Sequence, residues 1–167
     1  RRGRELYRAQ VVSRQVLDPR TAFIMTDILK QVVSEWGTAG AISSQLKRPV
    51  AAKTGSTQNY TDAWFVGYTP DLVCSVYVGN DDPGIPLGKS GGSAAGPIFA
   101  NFIEAALESK PALSFQIPGG IVRTEICHET GYLASPACPG TRWELFKSGT
   151  QPTYECPWHG AFPVYSP

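Results

Sequence analysis

The stretch from residue 62 to residue 79 constrains the fold most strongly. It reads DAWFVGY, then the turn Thr69-Pro70-Asp71, then LVCSVYVG. Aromatic and β-branched residues favour strands, while Pro and Asp are typical of turns. Parallel strands need a crossover of about a dozen residues or more, so this short connection predicts that the two strands are antiparallel neighbours.

A third strand is predicted before this hairpin, at residues 49–58, and a helix is predicted before that strand. The helix begins at Asp18, which can cap it, has Pro19 in its first position and ends at Gly37. Its apolar residues recur every three or four positions, which indicates one buried face. They are Ile24, Ile28, Leu29, Val32, Val33 and Trp36.

A second helix is predicted after the Gly- and Pro-rich loop DDPGIPLGKSGG. We expect Ser93 to cap it and one apolar stripe to be buried. The order of helix, antiparallel strands and helix predicts an α+β fold with helices packed against one antiparallel sheet, over residues 1–116. The stripe consists of Ile98, Phe99, Phe102, Ile103, Ala106 and Leu107.

Residues 117–167 are predicted to form a small, loop-rich β appendage, because they are rich in Pro, Gly, Thr and Cys. The appendage contains Cys127, Cys138 and Cys156, with His128 and His159 close to them in sequence. One disulfide with a spare thiol, free thiols and a zinc site are all open alternatives. Since the spacing lacks the C-x-x-C pair typical of zinc sites, we assign no metal ligand and expect no cofactor.

The composition argues against several classes of protein. The formal net charge of +1 gives no footprint for nucleic acid or for a charged membrane surface. No run of ~18 apolar residues predicts a transmembrane helix. With 42% apolar residues the chain can bury a core, and Cys74 is predicted to be a buried free thiol. The sequence opens at Arg1 without an initiator Met, which we interpret as a start inside a longer protein.

The stretch Lys53-Thr54-Gly55-Ser56 suggests chemistry on the first predicted strand. A glycine lets a ligand approach the strand closely, a lysine adds positive charge, and the two hydroxyls can bind a carboxylate. A backbone N–H at the strand edge can polarise a carbonyl that is becoming an oxyanion. Alone the four residues are weak evidence, because charged side chains are also common on edge strands.

The sequence around this stretch is more specific. It continues with YTDAWFVGYTPDL at residues 60–72, a strand ending in GNDD, and SGGSAAGPIFANFIEAAL at residues 90–107. This succession resembles the C-terminal part of the transpeptidase domain of class A, bifunctional 1A-type penicillin-binding proteins, in which K-T-G is an active-site motif. GIVRTEICHETGYLASPACPG at residues 120–140 resembles the tail that many of these enzymes carry.

The resemblance implies a role for each residue of the stretch. Lys53 and Ser56 would belong to the catalytic machinery: Lys53 would keep the site electropositive, and the Ser56 N–H would form half of the oxyanion hole. Thr54 and Ser56 would contact the carboxylate of a terminal D-alanine or of a β-lactam. Gly55 would leave room for the ligand, and Thr57 would extend the same substrate-binding strand.

The family's nucleophile has no counterpart that we can identify in this chain. In the family it is the Ser of an S-x-x-K motif at the start of a buried helix far upstream, and no S-x-N motif occurs here either. The sequence contains one S-x-x-K, from Ser44 to Lys47, shortly before Lys53. Because Pro49 disfavours a helix continuing there, we interpret this match as a surface coincidence.

The resemblance therefore implies part of a bacterial peptidoglycan D,D-transpeptidase that cross-links stem peptides at D-Ala-D-Ala through a serine acyl-enzyme and is acylated by β-lactams. We expect the chain to be inactive alone and to need the upstream half of the same domain. The parent would also carry a glycosyltransferase domain and a membrane anchor, at the extracytoplasmic face of the cytoplasmic membrane. A non-catalytic module that binds cell-wall peptides and a Cys/His metal-binding interaction module are the alternatives.

Overall fold

The computed structural model describes residues 7–10, 12–82 and 84–159, and it has the predicted α+β architecture. Three antiparallel strands form one sheet in chain order, and two later strands form a separate antiparallel hairpin. Short 3-10 turns lie at Gln31–Val33, Gly40–Gln45 and Gln58–Tyr60. The α-helices and strands are α1 (Pro19–Lys30), β1 (Ala51–Ser56), β2 (Asp62–Tyr68), β3 (Val73–Gly79), α2 (Gly91–Ala94), α3 (Gly96–Ala106), β4 (Ile121–Cys127) and β5 (Thr141–Lys147).

Helix α1 begins where the sequence predicts. The Asp18 carboxylate accepts a hydrogen bond from the Arg20 backbone N–H at 2.8 Å. Pro19 has no backbone N–H, so it leaves no donor without a partner in the first turn. The same carboxylate lies 2.5 Å from the Arg20 guanidinium and 4.0 Å from Lys147 Nζ on β5. The hydrogen bond from Arg20 holds the pKa of Asp18 well below its ordinary range.

Helix α1 ends before the predicted boundary at Gly37, so that prediction was wrong. The chain folds back on itself after the 3-10 turn, and the Ala39 N–H donates to the Val32 carbonyl at 2.9 Å. The predicted apolar face is consequently buried only in part. Trp36, which follows the helix, is 92% exposed, and Ile28 within α1 is 54% exposed.

The main hydrophobic core lies between the sheet and α3. Successive side chains of a strand point to opposite faces. On one face, Phe65 of β2 contacts Phe99 of α3 with ring centroids 4.6 Å apart, and Gly67 lets that ring approach the backbone. Cys74, a free thiol as predicted, packs against this core half-buried, and burial raises its pKa. The fully buried members are Ala39, Ile42, Val50, Ala52, Phe65, Ala95, Phe99, Ala100, Ile103 and Leu107.

The second helical segment begins earlier than predicted. Ser90, rather than Ser93, caps α2: its hydroxyl accepts a hydrogen bond from the Ser93 N–H at 3.3 Å. Only the side of α3 that faces the sheet is buried, so Ile98 and Phe102 of the predicted stripe are each half exposed. Within the described residues, no helix combines the length and the apolar character needed to cross a bilayer.

The hairpin of β4 and β5 forms the appendage, in agreement with its predicted β character. Its turn side is held by an isolated pairing of Leu133 with both Ile126 and Glu155. Residues 160–167 of the appendage lie outside the described part of the chain. The described buried residues of the appendage are Ile126, Cys127, Ser135 and Cys156, and none of them belongs to the main core.

Candidate functional site

Strand β1 is an edge strand, since no described strand pairs with its other side. The Thr57 N–H donates to the Asp62 carbonyl at 3.1 Å where β1 leaves the sheet. Hydrogen-bonded and non-hydrogen-bonded residue pairs alternate along an antiparallel ladder. This alternation directs the N–H groups of Ser56 and Thr54 away from β2, towards the uncovered edge.

Residues 53–56 place different groups on the two sides of this edge. The pairing of Lys53 with Val66 and of Gly55 with Trp64 puts the lysine and the glycine on one face of the sheet. Lys53 is exposed, and its Nζ donates to the Thr54 carbonyl at 2.7 Å. The positive charge therefore lies beside the outward-pointing N–H groups.

The hydroxyls of Thr54 and Ser56 lie on the opposite face, and each has a partner that sequence reasoning missed. Thr54 Oγ1 is 3.0 Å from Thr38 Oγ1. Ser56 Oγ accepts a hydrogen bond from the Gly91 N–H, the first residue of α2, at 2.8 Å. These contacts fix the two hydroxyls next to the edge of β1.

Gly91 also sets how closely α2 approaches β1. A Cβ at this position would collide with the backbone oxygens of Gly55 and Trp64. The glycine pair at residues 91 and 92 is the sequence signal for this contact, because glycine marks sites where one backbone approaches another.

The turn between β1 and β2 is tied down by Thr57, whose binding role stays a prediction. Its Oγ1 accepts a hydrogen bond from the Asp62 N–H at 2.9 Å, across a turn in which Asn59 and Tyr60 have positive φ. The Tyr77 hydroxyl donates to Asp62 at 2.7 Å, which lowers the pKa of Asp62 and raises the pKa of Tyr77.

The sequence predicts that the S-x-x-K match from Ser44 to Lys47 lies outside a continuous helix, and the structure agrees. Ser44 is exposed within the 3-10 turn Gly40–Gln45, which ends before Lys47. The Lys47 N–H donates to the Glu104 carboxylate of α3 at 3.0 Å.

Three cysteines of the appendage converge with a histidine, although the sequence spacing led us to assign no metal ligand there. The ligand atoms of Cys127, Cys138, Cys156 and His159 all lie within 4.8 Å of one another. The cysteines are free, and hydrogen bonding by the Thr130 hydroxyl lowers the pKa of the Cys127 thiol. Spacing did not reveal this group because its members come together only through the pairing of distant segments.

Comparisons with known proteins match both parts of the chain. Residues 7–104 match the family model described as penicillin binding protein transpeptidase domain, and residues 117–161 match that of penicillin-binding protein 1A, C-terminal domain. The first match covers more than half of the chain. The chain belongs to the penicillin-binding protein transpeptidase family, which confirms the resemblance seen in the sequence.

The particular relatives point to the 1A type. Penicillin-binding protein 1A of Pseudomonas aeruginosa is 39% identical across 83% of this chain and 17% of its own length. Penicillin-binding protein 2D of Bacillus subtilis (strain 168) is 32% identical across 97% of this chain and 24% of its own length. A crystal structure of penicillin-binding protein 1A from Haemophilus influenzae superposes with a TM-score of 0.73 and 33% identity, over 84% of this chain and 22% of that one. The chain thus spans less than a quarter of the length of these relatives.

Proposed function

We propose that this chain supplies one side of the acyl-transfer site of a peptidoglycan D,D-transpeptidase. The observation that carries the proposal is the uncovered edge of β1, towards which the Ser56 N–H points beside the exposed Lys53. A preorganised N–H at such an edge suits the oxyanion of an acyl-transfer reaction, and a nearby cation suits an anionic substrate.

Each residue of β1 makes a different contribution to substrate binding. Lys53 attracts the terminal carboxylate of a D-Ala-D-Ala stem peptide, and the Thr54 and Ser56 hydroxyls donate hydrogen bonds to it. Gly55 leaves space for the peptide on the strand, and Thr57 holds the end of that strand in place through Asp62. A β-lactam, which carries a carboxylate near its reactive carbonyl, binds in the same way.

The reaction itself is a two-step acyl transfer. A serine attacks the carbonyl of the penultimate D-alanine, and the Ser56 N–H stabilises the resulting oxyanion. The terminal D-alanine leaves, and the acyl group passes from the serine to an amine on a neighbouring stem peptide. A β-lactam acylates the same serine. We place this chemistry in the bacterial cell envelope, at the extracytoplasmic face of the cytoplasmic membrane, in a parent that also has a glycosyltransferase domain.

The serine is supplied by the upstream half of the same domain, which we propose as the partner of this chain. The face of the sheet that carries Lys53 exposes Trp64, Val66, Val73 and Tyr77, each between 43% and 70% exposed. A contiguous apolar and aromatic surface of this kind is typical of a face that another segment covers. The exposed Ser44 has no general base within a shared helix and does not serve as the nucleophile.

We also propose a boundary between residues 116 and 117, with the transpeptidase part before it and the appendage after it. Two observations support this boundary. The main core ends at Leu107, and the appendage has a separate set of buried residues.

The first test asks whether the chain acts alone. We expect intact mass spectrometry of the 167-residue chain after incubation with benzylpenicillin to show no adduct. A stoichiometric acyl adduct would contradict the assignment of the nucleophile to another segment, and peptide mapping would then show whether Ser44 carries it.

The second test asks whether β1 forms the binding site. In the full-length parent we expect Lys53→Ala to slow acylation by a fluorescent penicillin by about 100-fold, the scale of one lost charge-assisted contact to the reacting ligand. Lys110→Ala is the matched control, because Lys110 is an exposed lysine beyond α3 that lies beside Lys47 and Arg48 and does not belong to residues 53–56. Equal acylation rates for both variants would overturn the proposal.

A further inference from the structure

The group of Cys127, Cys138, Cys156 and His159, which we call the Cys₃His cluster, has no role in the proposed acyl transfer. Its members come from four places in the appendage. Cys127 ends β4, Cys138 lies in the connection between β4 and β5, Cys156 follows Glu155, which pairs with Leu133, and His159 lies in a turn. We propose that the Cys₃His cluster binds one Zn²⁺ through its three Sγ atoms and His159 Nδ1, as a structural site.

The distances fit a tetrahedral ion. Zinc binds sulfur at about 2.3 Å and imidazole nitrogen at about 2.0 Å, so neighbouring sulfur and nitrogen ligands are about 3.5 Å apart. His159 Nδ1 lies 3.4 Å from Cys127 Sγ and 3.3 Å from Cys156 Sγ. All four ligand atoms lie within 4.8 Å of one another. Two sulfurs bound to the same tetrahedral zinc are about 3.8 Å apart, so the observed separations are close to those of a bound site.

The orientation of His159 is a second observation that points to a metal. Its Nδ1 faces the sulfurs, while its Nε2 lies 3.3 Å from the Glu129 carboxylate. Histidines that bind metals characteristically donate their second ring N–H to a carboxylate, which fixes the tautomer and the direction of the ring. Glu129 provides that partner.

The sulfurs also have the outer contacts that a thiolate site requires. The N–H and hydroxyl of Ser135 are both 3.4 Å from Cys138 Sγ, and the Thr130 hydroxyl is 3.2 Å from Cys156 Sγ. Ser135 is buried although it is polar. Hydrogen bonds of this kind stabilise bound thiolates and are part of the design of a metal site.

The appendage has a physical need for such an ion. A two-stranded hairpin is marginally stable in water, and units as small as the appendage at residues 117–167 are commonly held together by disulfides or a structural metal. Two of its four described buried residues are Cys127 and Cys156, so apolar burial contributes little there. Binding a structural zinc contributes directly to the folding free energy.

A single disulfide explains the geometry less well. It would join two of the sulfurs at about 2.05 Å and give no reason for the third sulfur and an oriented imidazole to converge on them. The mixture of thiolate and imidazole ligands favours zinc over magnesium or calcium, which prefer oxygen. Because four protein ligands close the coordination sphere, the ion has no open position for substrate.

The test is a metal analysis of the full chain purified without chelators. We expect inductively coupled plasma mass spectrometry to find one zinc ion per chain. We also expect Co²⁺ exchanged into the site to give the strong visible bands of tetrahedral cobalt together with a thiolate-to-cobalt charge-transfer band. These readouts need no variant and no enzymatic activity, so their failure is distinct from failure of the proposed function.

Variants with a matched control locate the site. Cys156→Ser should bring the zinc content close to zero, whereas Cys74→Ser should leave it at one, because Cys74 packs against the main core. Glu129→Gln should weaken zinc binding about 10- to 100-fold in a chelator competition while the protein stays folded. A metal-free chain, a Cys–Cys disulfide found by mass under non-reducing conditions, or cobalt bands without thiolate character would each overturn the proposal.

Discussion

At the scale of single residues, Gly91 shows how a position without a side chain determines the geometry of the edge of β1. Its N–H holds Ser56 Oγ at 2.8 Å, and its lack of a Cβ lets α2 start directly on the backbone of Gly55. The orientation of β1 therefore depends on a contact between segments that are 35 residues apart.

We expect Gly91→Ala to destabilise the protein by about 1–3 kcal/mol, the usual cost of overpacking, because the added Cβ meets backbone atoms that cannot rotate away. Urea unfolding measures this change, and penicillin acylation of the parent should slow as Gly55 is displaced. Gly119→Ala is the control, since nothing lies within 4 Å of a Cβ there and its φ is not positive. Equal stability of the two variants would contradict the close contact.

At the scale of elements, the two longer helices are held in place in different ways, and neither is buried as fully as its apolar periodicity predicts. Helix α3 uses Phe99 and Ile103 against the sheet and leaves Phe102 half exposed. Helix α1 instead is anchored at its start, where Asp18 combines a cap, an ion pair with Arg20 and proximity to Lys147 of β5.

Phe99 and Phe102 provide a direct comparison on α3. We expect Phe99→Ala to cost about 3–5 kcal/mol of unfolding free energy, because its ring is fully buried against Phe65. Phe102→Ala should cost less than about 1.5 kcal/mol, because half of that side chain is in solvent. Denaturant unfolding of both variants checks the difference. Similar losses of unfolding free energy would contradict the half-exposed position of Phe102 on α3.

The cap of α1 predicts a pH dependence. The pKa of Asp18 is lowered in the folded chain from an ordinary value of 3.8, so its charge stabilises the fold above that pH. This contribution is lost as the pH falls through the lower, folded-state pKa. Asp18→Asn keeps a capping side chain but has no charge. Its Tm deficit should be constant from neutral pH down to about pH 4 and should shrink below it, whereas a deficit that grows in acid would be contrary to this linkage.

At the scale of the whole molecule, the chain consists of a sheet-and-helix unit with an apolar core and an appendage in which half of the described buried residues are potential metal ligands. The two units touch where Lys147 of β5 approaches the start of α1. Their stability therefore has two physical sources, apolar burial in the first unit and metal binding in the second.

Metal removal should affect the two units differently. On chelation we expect faster amide hydrogen exchange throughout residues 121–159, while the amides of β1, β2 and β3 keep their protection because their core contains no proposed ligand. Hydrogen exchange read by mass spectrometry checks this in the full chain. Uniform loss of protection across both units would show that they unfold as one.

The amino-acid sequence by itself determined the hairpin of β2 and β3, the start of α1 at Asp18 and the family to which the chain belongs. The hairpin and the helix start depend on turn residues, alternation and caps, which act over a few neighbouring positions, whereas the family was recognised by the resemblance of whole segments.

Only the tertiary structure decided which distant residues meet. The early end of α1, the contact of Gly91 with Ser56 and the convergence of Cys127 with His159 all depend on chain reversals between segments. Such contacts require loop closure, and its free energy is set by the packing of the whole fold rather than by local pattern. Residues 53–56 could therefore be recognised from sequence, whereas the orientation of their edge and the Cys₃His cluster depended on the fold.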